Sequence, residues 1–170
     1  AAGLTDRDQA KTFIYAFLYG AGAAKIGKVV GGSAKEGQKL ITKFLSNMPK
    51  LKELRDNVIE ASQVGTIRAL DGRLLHIRAD YASLNTLLQG AGAIICKQWL
   101  VDISKRIRDS GLDAKLVASI HDEYQFEVAK KDATKFGKIT KDAMKDTEKT
   151  LNVKCPLDCD FKIGTTWMET

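Results

Sequence analysis

Three short stretches of this chain carry side chains whose types and spacing suit chemistry. In the first, RDQAKTFIYAFLY, Arg7, Lys11 and Tyr15 recur at intervals of four. At 100° per residue of helix they fall within an arc of roughly 80°. Ala10, Phe13, Ile14 and Phe17 take the neighbouring arc. One face can pack while the next presents two cations and a ring. That suits a nucleoside triphosphate, with cations for phosphates and a flat ring for sugar or base. A plain amphipathic helix with snorkelling basic side chains has the same spacing.

The second stretch, LNTLLQGAG, puts Asn85 and Gln89 one helical turn apart on one face. Side-chain amides donate and accept together. In the minor groove every base pair offers acceptors, so such groups test pairing shape without reading sequence. The same two residues would equally serve to cap buried polar groups. The third stretch is His121-Asp122-Glu123, between the apolar runs of VASIHDEYQFEV. A short acidic turn between strands can aim carboxylates at a shared point. It can also be an ordinary hairpin tip.

Positioning these groups requires a helical first half and a mixed second half. The spacing predicts helices over Asp6–Tyr19, Ala23–Val30, Ala34–Asn47 and Pro49–Gln63, broken by Gly20-Ala21-Gly22 and Gly31-Gly32. Thr5 with Asp8 reads as a capping box for the first. Pro49 sits well in a first turn. Thr66–Leu70 and Arg73–Arg78 read as short strands joined at Asp71-Gly72. A long helix over about Ala82–Ser110 follows, its apolar face carrying Leu84, Leu87, Leu88, Ile94, Ile95, Leu100 and Ile103. Strands at Lys115–Ile120 and Tyr124–Ala129 flank the acidic turn. A lysine-rich helix, Ala133–Leu151, precedes a last strand near Cys159–Ile163. The fold class expected is α+β.

The 170 residues, 44% of them hydrophobic, suffice for one compact unit or two small lobes. A net charge of +6 suits a polyanionic partner and equally an ordinary basic protein. Cys96, Cys155 and Cys159 have no metal-ligand spacing, so reduced thiols are expected rather than zinc. No apolar run approaches the length of about 20 residues that crosses a bilayer. The N-terminal stretch AAGLTDRDQAK holds no signal-peptide core.

The literal strings say more than the spacing. RDQAKTFIYAFLYGAG resembles the fingers motif of family A DNA polymerases, Arg-x3-Lys-x3-aromatic-x3-Tyr-Gly. TIRALDGRLLHIR and LNTLLQ resemble the family's duplex-contact segment, and VASIHDEYQFEV resembles its third palm motif. KIGTTWMET is similar to the family's ending, so the natural C-terminus is expected here. The resemblance covers nearly the whole chain and is nearest to the compact podophage-type enzymes. It implies a helical fingers subdomain over 1–80, then the C-terminal part of a palm over 81–170 with a small antiparallel sheet and flanking helices.

By that resemblance Arg7 and Lys11 hold the triphosphate, and Lys11 protonates the departing pyrophosphate. Tyr15 lies against the incoming sugar, and Tyr19 stacks near the templating base. Asn85 and Gln89 contact the primer–template duplex, and His121 touches the primer end. Asp122 coordinates Mg²⁺ with Glu123 in support. Ala16 departs from the usual glycine after the aromatic residue. Asp80-Tyr81 superficially matches the family's first carboxylate motif, but it stands within the duplex-contact segment and is not assigned to metal. The first catalytic aspartate and the thumb are therefore expected in an N-terminal polymerase fragment or subunit. Alone, the chain is expected to be inactive. The partners implied are primer–template DNA, a deoxynucleoside triphosphate and that fragment. The location implied is cytoplasmic, in the host's cytoplasm if the chain is viral. A non-catalytic nucleic-acid-binding remnant and a magnesium nuclease built on Asp122 and Glu123 are the rival readings.

Overall fold

The computed structural model describes Leu4 and Asp6–Thr170. The chain divides into two compact units, Ala1–Gly90 and Ala91–Thr170. The architecture is mixed helix and sheet, as the α+β expectation has it.

The first unit opens with α1 (Arg7–Leu18), α2 (Ala23–Val29), α3 (Ala34–Asn47) and α4 (Pro49–Ala61). The Asp6 carboxylate caps α1 by accepting from the Asp8 N–H at 3.0 Å. The capping role expected of Thr5 lies outside the described residues. α3 begins with a full capping box between Ser33 and Glu36, whose bonds to the Ser33 N–H and hydroxyl hold the Glu36 carboxyl below its usual range. Phe13 and Phe17 of α1 meet Phe44 of α3 edge to face at 5.1 and 5.2 Å. Ile26 and Leu45 complete this core. Gly20 ends the first helix at φ +77, and a Cβ there would stand 2.2 Å from the Tyr81 carbonyl oxygen. Only glycine fits both constraints.

After α4 come the strands β1 (Thr66–Arg68) and β2 (Leu74–His76), paired antiparallel with Ile67 opposite Leu75. They are shorter than the sequence predicts. The reason is the turn. Gly72 N–H donates to the Ala69 carbonyl and Gly72 itself sits at φ +84. The connection is thus a turn centred on Leu70-Asp71 followed by a left-handed glycine, not a two-residue hairpin at Asp71-Gly72. Asp71 and Arg73 are consumed in bracing it, with a 2.6 Å ion pair. The long helix α5 (Ser83–Ser110) starts here, after a 3-10 turn at Asp80–Ala82. The division between units falls within α5.

In the second unit the rest of α5 packs with β3 (Ala114–Ile120), β4 (Glu123–Val128) and α6 (Ala133–Thr150). Trp99, Ile103, Phe136, Ala143 and Met144 form its core. Directional bonds cross that core. Trp99 Nε1 donates to the Thr140 carbonyl at 2.9 Å, and the Thr147 hydroxyl to Asp102 at 2.8 Å. Arg106 Nε meets Asp146 at 2.6 Å. β3 and β4 are antiparallel with an irregularity between Leu116 and Ala118 that leaves Val117 62% exposed.

The strand expected near Cys159–Ile163 does not form. No backbone ladder partner reaches this segment among the described residues, and a strand exists only through its ladder. Side chains hold the segment instead. Leu157 and Cys159 pack on the second core. The Leu157 N–H donates to Glu148 and Lys145 donates to the Leu157 carbonyl. Phe161 lies over Gly137, where a Cβ would come within 2.3 Å of its ring.

Candidate functional site

On α1 the packing arc and the chemical arc separate as the helical spacing predicts. Phe13 is 0% exposed, while Arg7, Lys11 and Tyr15 all face out. Tyr15 is 52% exposed and Tyr19 54%. Neither Arg7 nor Lys11 has a salt-bridge partner among the described residues. Ile14, placed on the packing arc by sequence, is 41% exposed and borders the charged stripe. The result is one exposed line of two cations and two phenols along a helix whose other side is fixed by aromatic packing.

That line does not stop at the helix end. Gln89 Nε2 of α5 donates to the Tyr19 hydroxyl at 3.0 Å. The structure thus joins two residues 70 positions apart that the family resemblance assigns separately to DNA. Asn85, one turn earlier, is half-buried and makes no side-chain hydrogen bond among the described residues. Its donors and acceptor stay available to a ligand. Close by, a cleft of about 500 Å³ is bounded by Phe17, Gly20, Gln38, Arg55 and Tyr81. Arg55 stands over the Phe17 ring at 5.9 Å. Neither the cleft nor Arg55 is visible in the sequence, because each needs the packing of distant helices.

In the second unit β3 and β4 pair Ile120 with Glu123, leaving His121 and Asp122 as a two-residue turn. His121 takes φ +54, a left-handed conformation uncommon for a residue with a Cβ. The usual two-residue hairpin turns take a positive φ at their first residue. His121, Asp122 and Glu123 are all exposed. Glu123 is held: its Oε1 accepts from Gln125 Nε2 at 2.5 Å and from Trp167 Nε1 at 3.2 Å. Behind the turn stands Cys96 of α5, its thiol pushed up by burial and further by the Asp122 carboxylate.

Asp122 and Glu123 form a pair; among the described residues no group of three or more His, Cys, Asp or Glu gathers for a metal. Two exposed carboxylates on one turn are hard oxygen donors and suit Mg²⁺, which takes one or two carboxylates together with waters and phosphate oxygens. Asp80, set aside from the metal reading, lies in its own 3-10 turn, its carbonyl accepting from the buried Ser83 hydroxyl.

The first unit thus carries an exposed line of cations and phenols on α1, and the second an acidic turn between two antiparallel strands. The chain belongs to DNA polymerase family A, whose family model matches residues 3–169. It is 40% identical to the DNA-directed DNA polymerase of Enterobacteria phage T3 over 99% of this chain and 27% of that protein. For the DNA-directed DNA polymerase of Escherichia phage Phieco32 the figures are 41%, 99% and 29%. DNA polymerase I of Geobacillus stearothermophilus is 27% identical over 96% of this chain. The fold also matches the POL domain of Pol1 from M. smegmatis, solved in complex with DNA primer-template and dNTP. There the TM-score is 0.77 at 21% identity, covering 92% of this chain and 29% of that one. The chain thus spans less than a third of the length of these relatives.

Proposed function

We propose that this chain is the nucleotide-binding and duplex-contacting part of a template-directed DNA polymerase. It works with a further polypeptide segment that carries the other catalytic carboxylate and the thumb. The observation carrying this is the exposed line Arg7–Lys11–Tyr15–Tyr19, extended by the bond from Gln89. Residues 1–80 serve as fingers and 81–170 as the C-terminal part of the palm.

Arg7 and Lys11 bind the triphosphate of an incoming deoxynucleotide. Their charges have no ion-pair partner among the described residues, so no ion pair there has to break. Lys11 carries three N–H donors and is the group placed to protonate pyrophosphate as it leaves. Tyr15, one turn on, lies along the sugar. Tyr19 stacks at the templating base, its hydroxyl held by Gln89. Asn85 and Gln89 meet minor-groove acceptors, which every correct pair presents alike. Asp122 and Glu123 bind Mg²⁺, and His121 lies against the primer end. When bound in pairs, such ions stabilise the attacking and leaving oxygens. The need for a further segment is supported by the carboxylate pair at residues 122–123 and by the short share of each relative that this chain spans. The phage relatives support a working place in a host cytoplasm. No helix among the described residues is long and apolar enough to cross a membrane.

The test is fluorescence anisotropy of a primer–template titrated with this chain. Binding is expected to fall steeply with salt, as phosphate contacts release counterions. Tyr19→Ala and Asn85→Ala are expected to weaken it. Equal binding by both variants would remove the DNA assignment of this face. Mg²⁺-dependent incorporation by the chain alone would remove the requirement for a further segment. Binding of DNA with no nucleotide-dependent strengthening would favour a non-catalytic remnant.

A further inference from the structure

The acidic turn is not free-standing. Both donors to Glu123 reach the same oxygen, Oε1: Gln125 Nε2 at 2.5 Å from two residues along β4, and Trp167 Nε1 at 3.2 Å from the C-terminal segment. The other oxygen, Oε2, receives neither. The Gln125 Oε1 lies 3.4 Å from the Thr170 hydroxyl, whose single proton goes to the nearer Trp167 carbonyl. The turn that carries Trp167 is braced in its own right. Glu169 accepts from the Thr165 N–H at 2.6 Å and from its hydroxyl at 2.9 Å, which lowers the Glu169 carboxyl below its usual range. The bond from the Thr170 hydroxyl to the Trp167 carbonyl is 2.9 Å long. Residues 165–170 thus form one braced segment whose polar atoms converge on the acidic turn.

From this convergence we propose that Trp167 and Gln125 are positioning residues for the metal site, pinning one oxygen of Glu123 so that the other faces the ion. The inference rests on the reading of Asp122 and Glu123 as Mg²⁺ ligands. The physical case is that a glutamate on an exposed turn has three side-chain torsions to freeze. Donors that fix the carboxylate beforehand remove that cost from the binding step. Partners that orient metal ligands in this way carry a known weight, on the order of 10- to 100-fold in metal affinity. Because Trp167 is 61% exposed, the lower end of that range applies.

Two measurements on the full 170-residue chain separate this inference from the reading beneath it. The first needs no metal. In a ¹⁵N–¹H spectrum the indole resonances of Trp99 and Trp167 are distinguished by Trp167→Phe. Glu123→Ala is expected to move the Trp167 resonance and leave that of Trp99, which is bonded to Thr140, in place. An unmoved Trp167 resonance overturns the clamp. The second is titration with Mn²⁺, followed by loss of the free-ion paramagnetic resonance signal. Asp122→Asn is expected to remove the uptake. Trp167→Phe and Gln125→Met are each expected to weaken it about tenfold. Trp167→His, which keeps a ring N–H, is expected to recover most of the loss. Uptake lost in Asp122→Asn but unchanged in both Trp167→Phe and Gln125→Met overturns the positioning role while sparing the metal reading. Uptake indifferent to Asp122→Asn, or no uptake, overturns the metal reading, and the indole measurement still decides whether the clamp exists.

Discussion

In the first unit Phe13, Phe17 and Phe44 meet ring against ring, and Arg7, Lys11 and Tyr15 of α1, proposed to bind nucleotide, are exposed. In the second unit Trp99, Thr140, Asp102, Thr147, Arg106 and Asp146 are cross-linked by directional bonds, and the carboxylate of Glu123, proposed to bind metal, is itself bonded. The contrast follows from what each site would hold. Aromatic packing fixes a helix axis without engaging any polar group, so Arg7 and Lys11 keep their full donor capacity for phosphate oxygens. A metal ligand needs an oxygen aimed in one direction, and hydrogen bonds supply direction where apolar contact does not. On the proposed reading the exposed cations would be a free binding surface and the acidic turn a preset one.

The largest expected effect breaks the first half of this comparison. Phe13 is fully buried between Phe17 and Phe44. Phe13→Ala is expected to cost about 3–5 kcal/mol from lost transfer and the cavity left behind. Amide hydrogen exchange in α1 and α3 measures it. A loss under 1 kcal/mol would mean that the ring cluster does not hold α1.

Next comes the charge that the packing leaves free. In a polymerase assembled from this chain and its complementing segment, Lys11→Ala is expected to slow nucleotide transfer about 10²–10⁴-fold, the range of a general acid. Single-turnover incorporation is the measurement. If only the nucleotide affinity changes, Lys11 binds phosphate and another group supplies the proton. Lys11→Arg sharpens the point, because a guanidinium keeps the charge but gives up no proton.

The third effect concerns Tyr15. A sugar lacking its 3′-hydroxyl leaves a polar group unpaired near the phosphates, at a cost of about 1–3 kcal/mol. A tyrosine hydroxyl can fill that gap. The assembled enzyme is expected to accept dideoxynucleotides almost as readily as deoxynucleotides. Tyr15→Phe is expected to restore discrimination by roughly one to two decades in the ratio of kcat/KM. An unchanged ratio would show that Tyr15 does not face the sugar, and the assignment of the whole α1 stripe would fall with it.

How much of this was legible in the sequence differs between the two halves for the same physical reason. Helix spacing is local, so α1, α3, α5 and α6 and the exposed stripe on α1 follow from residues a few positions apart. The acidic turn follows from two apolar runs around three polar residues. What escaped reading depends on distant partners. The bond between Gln89 and Tyr19 spans 70 positions, and that between Trp167 and Glu123 spans 44. Residues 159–163 alternate like a strand, yet alternation reports only which side chains face the core. It says nothing of whether a ladder partner is present. At Asp71-Gly72 the dipeptide signalled a hairpin correctly, while the left-handed glycine lengthened the loop and shortened both strands.

The smallest expected effect tests the second half of the comparison by pH. Arg106 holds the Asp146 carboxyl below its usual range, chiefly through their hydrogen bond. Because the folded form binds its proton more weakly than the unfolded chain, the pair contributes stability above the unfolded carboxyl value of about 3.9. That contribution is lost as pH falls through the lowered folded value. Both side chains are about a third exposed, at 34% and 37%, so screening leaves on the order of 0.5 kcal/mol. Arg106→Met is therefore expected to destabilise the second unit slightly at pH 7, with the difference from the parent closing below about pH 4. Urea unfolding at both pH values, followed by Trp99 fluorescence, is the measurement. A deficit that persists undiminished in acid would mean that Arg106 acts through its packed stem and not through its charge. In that case the cross-links of the second unit would be apolar in effect, and the contrast with the first unit would rest on Trp99, Thr147 and the bonded turn alone.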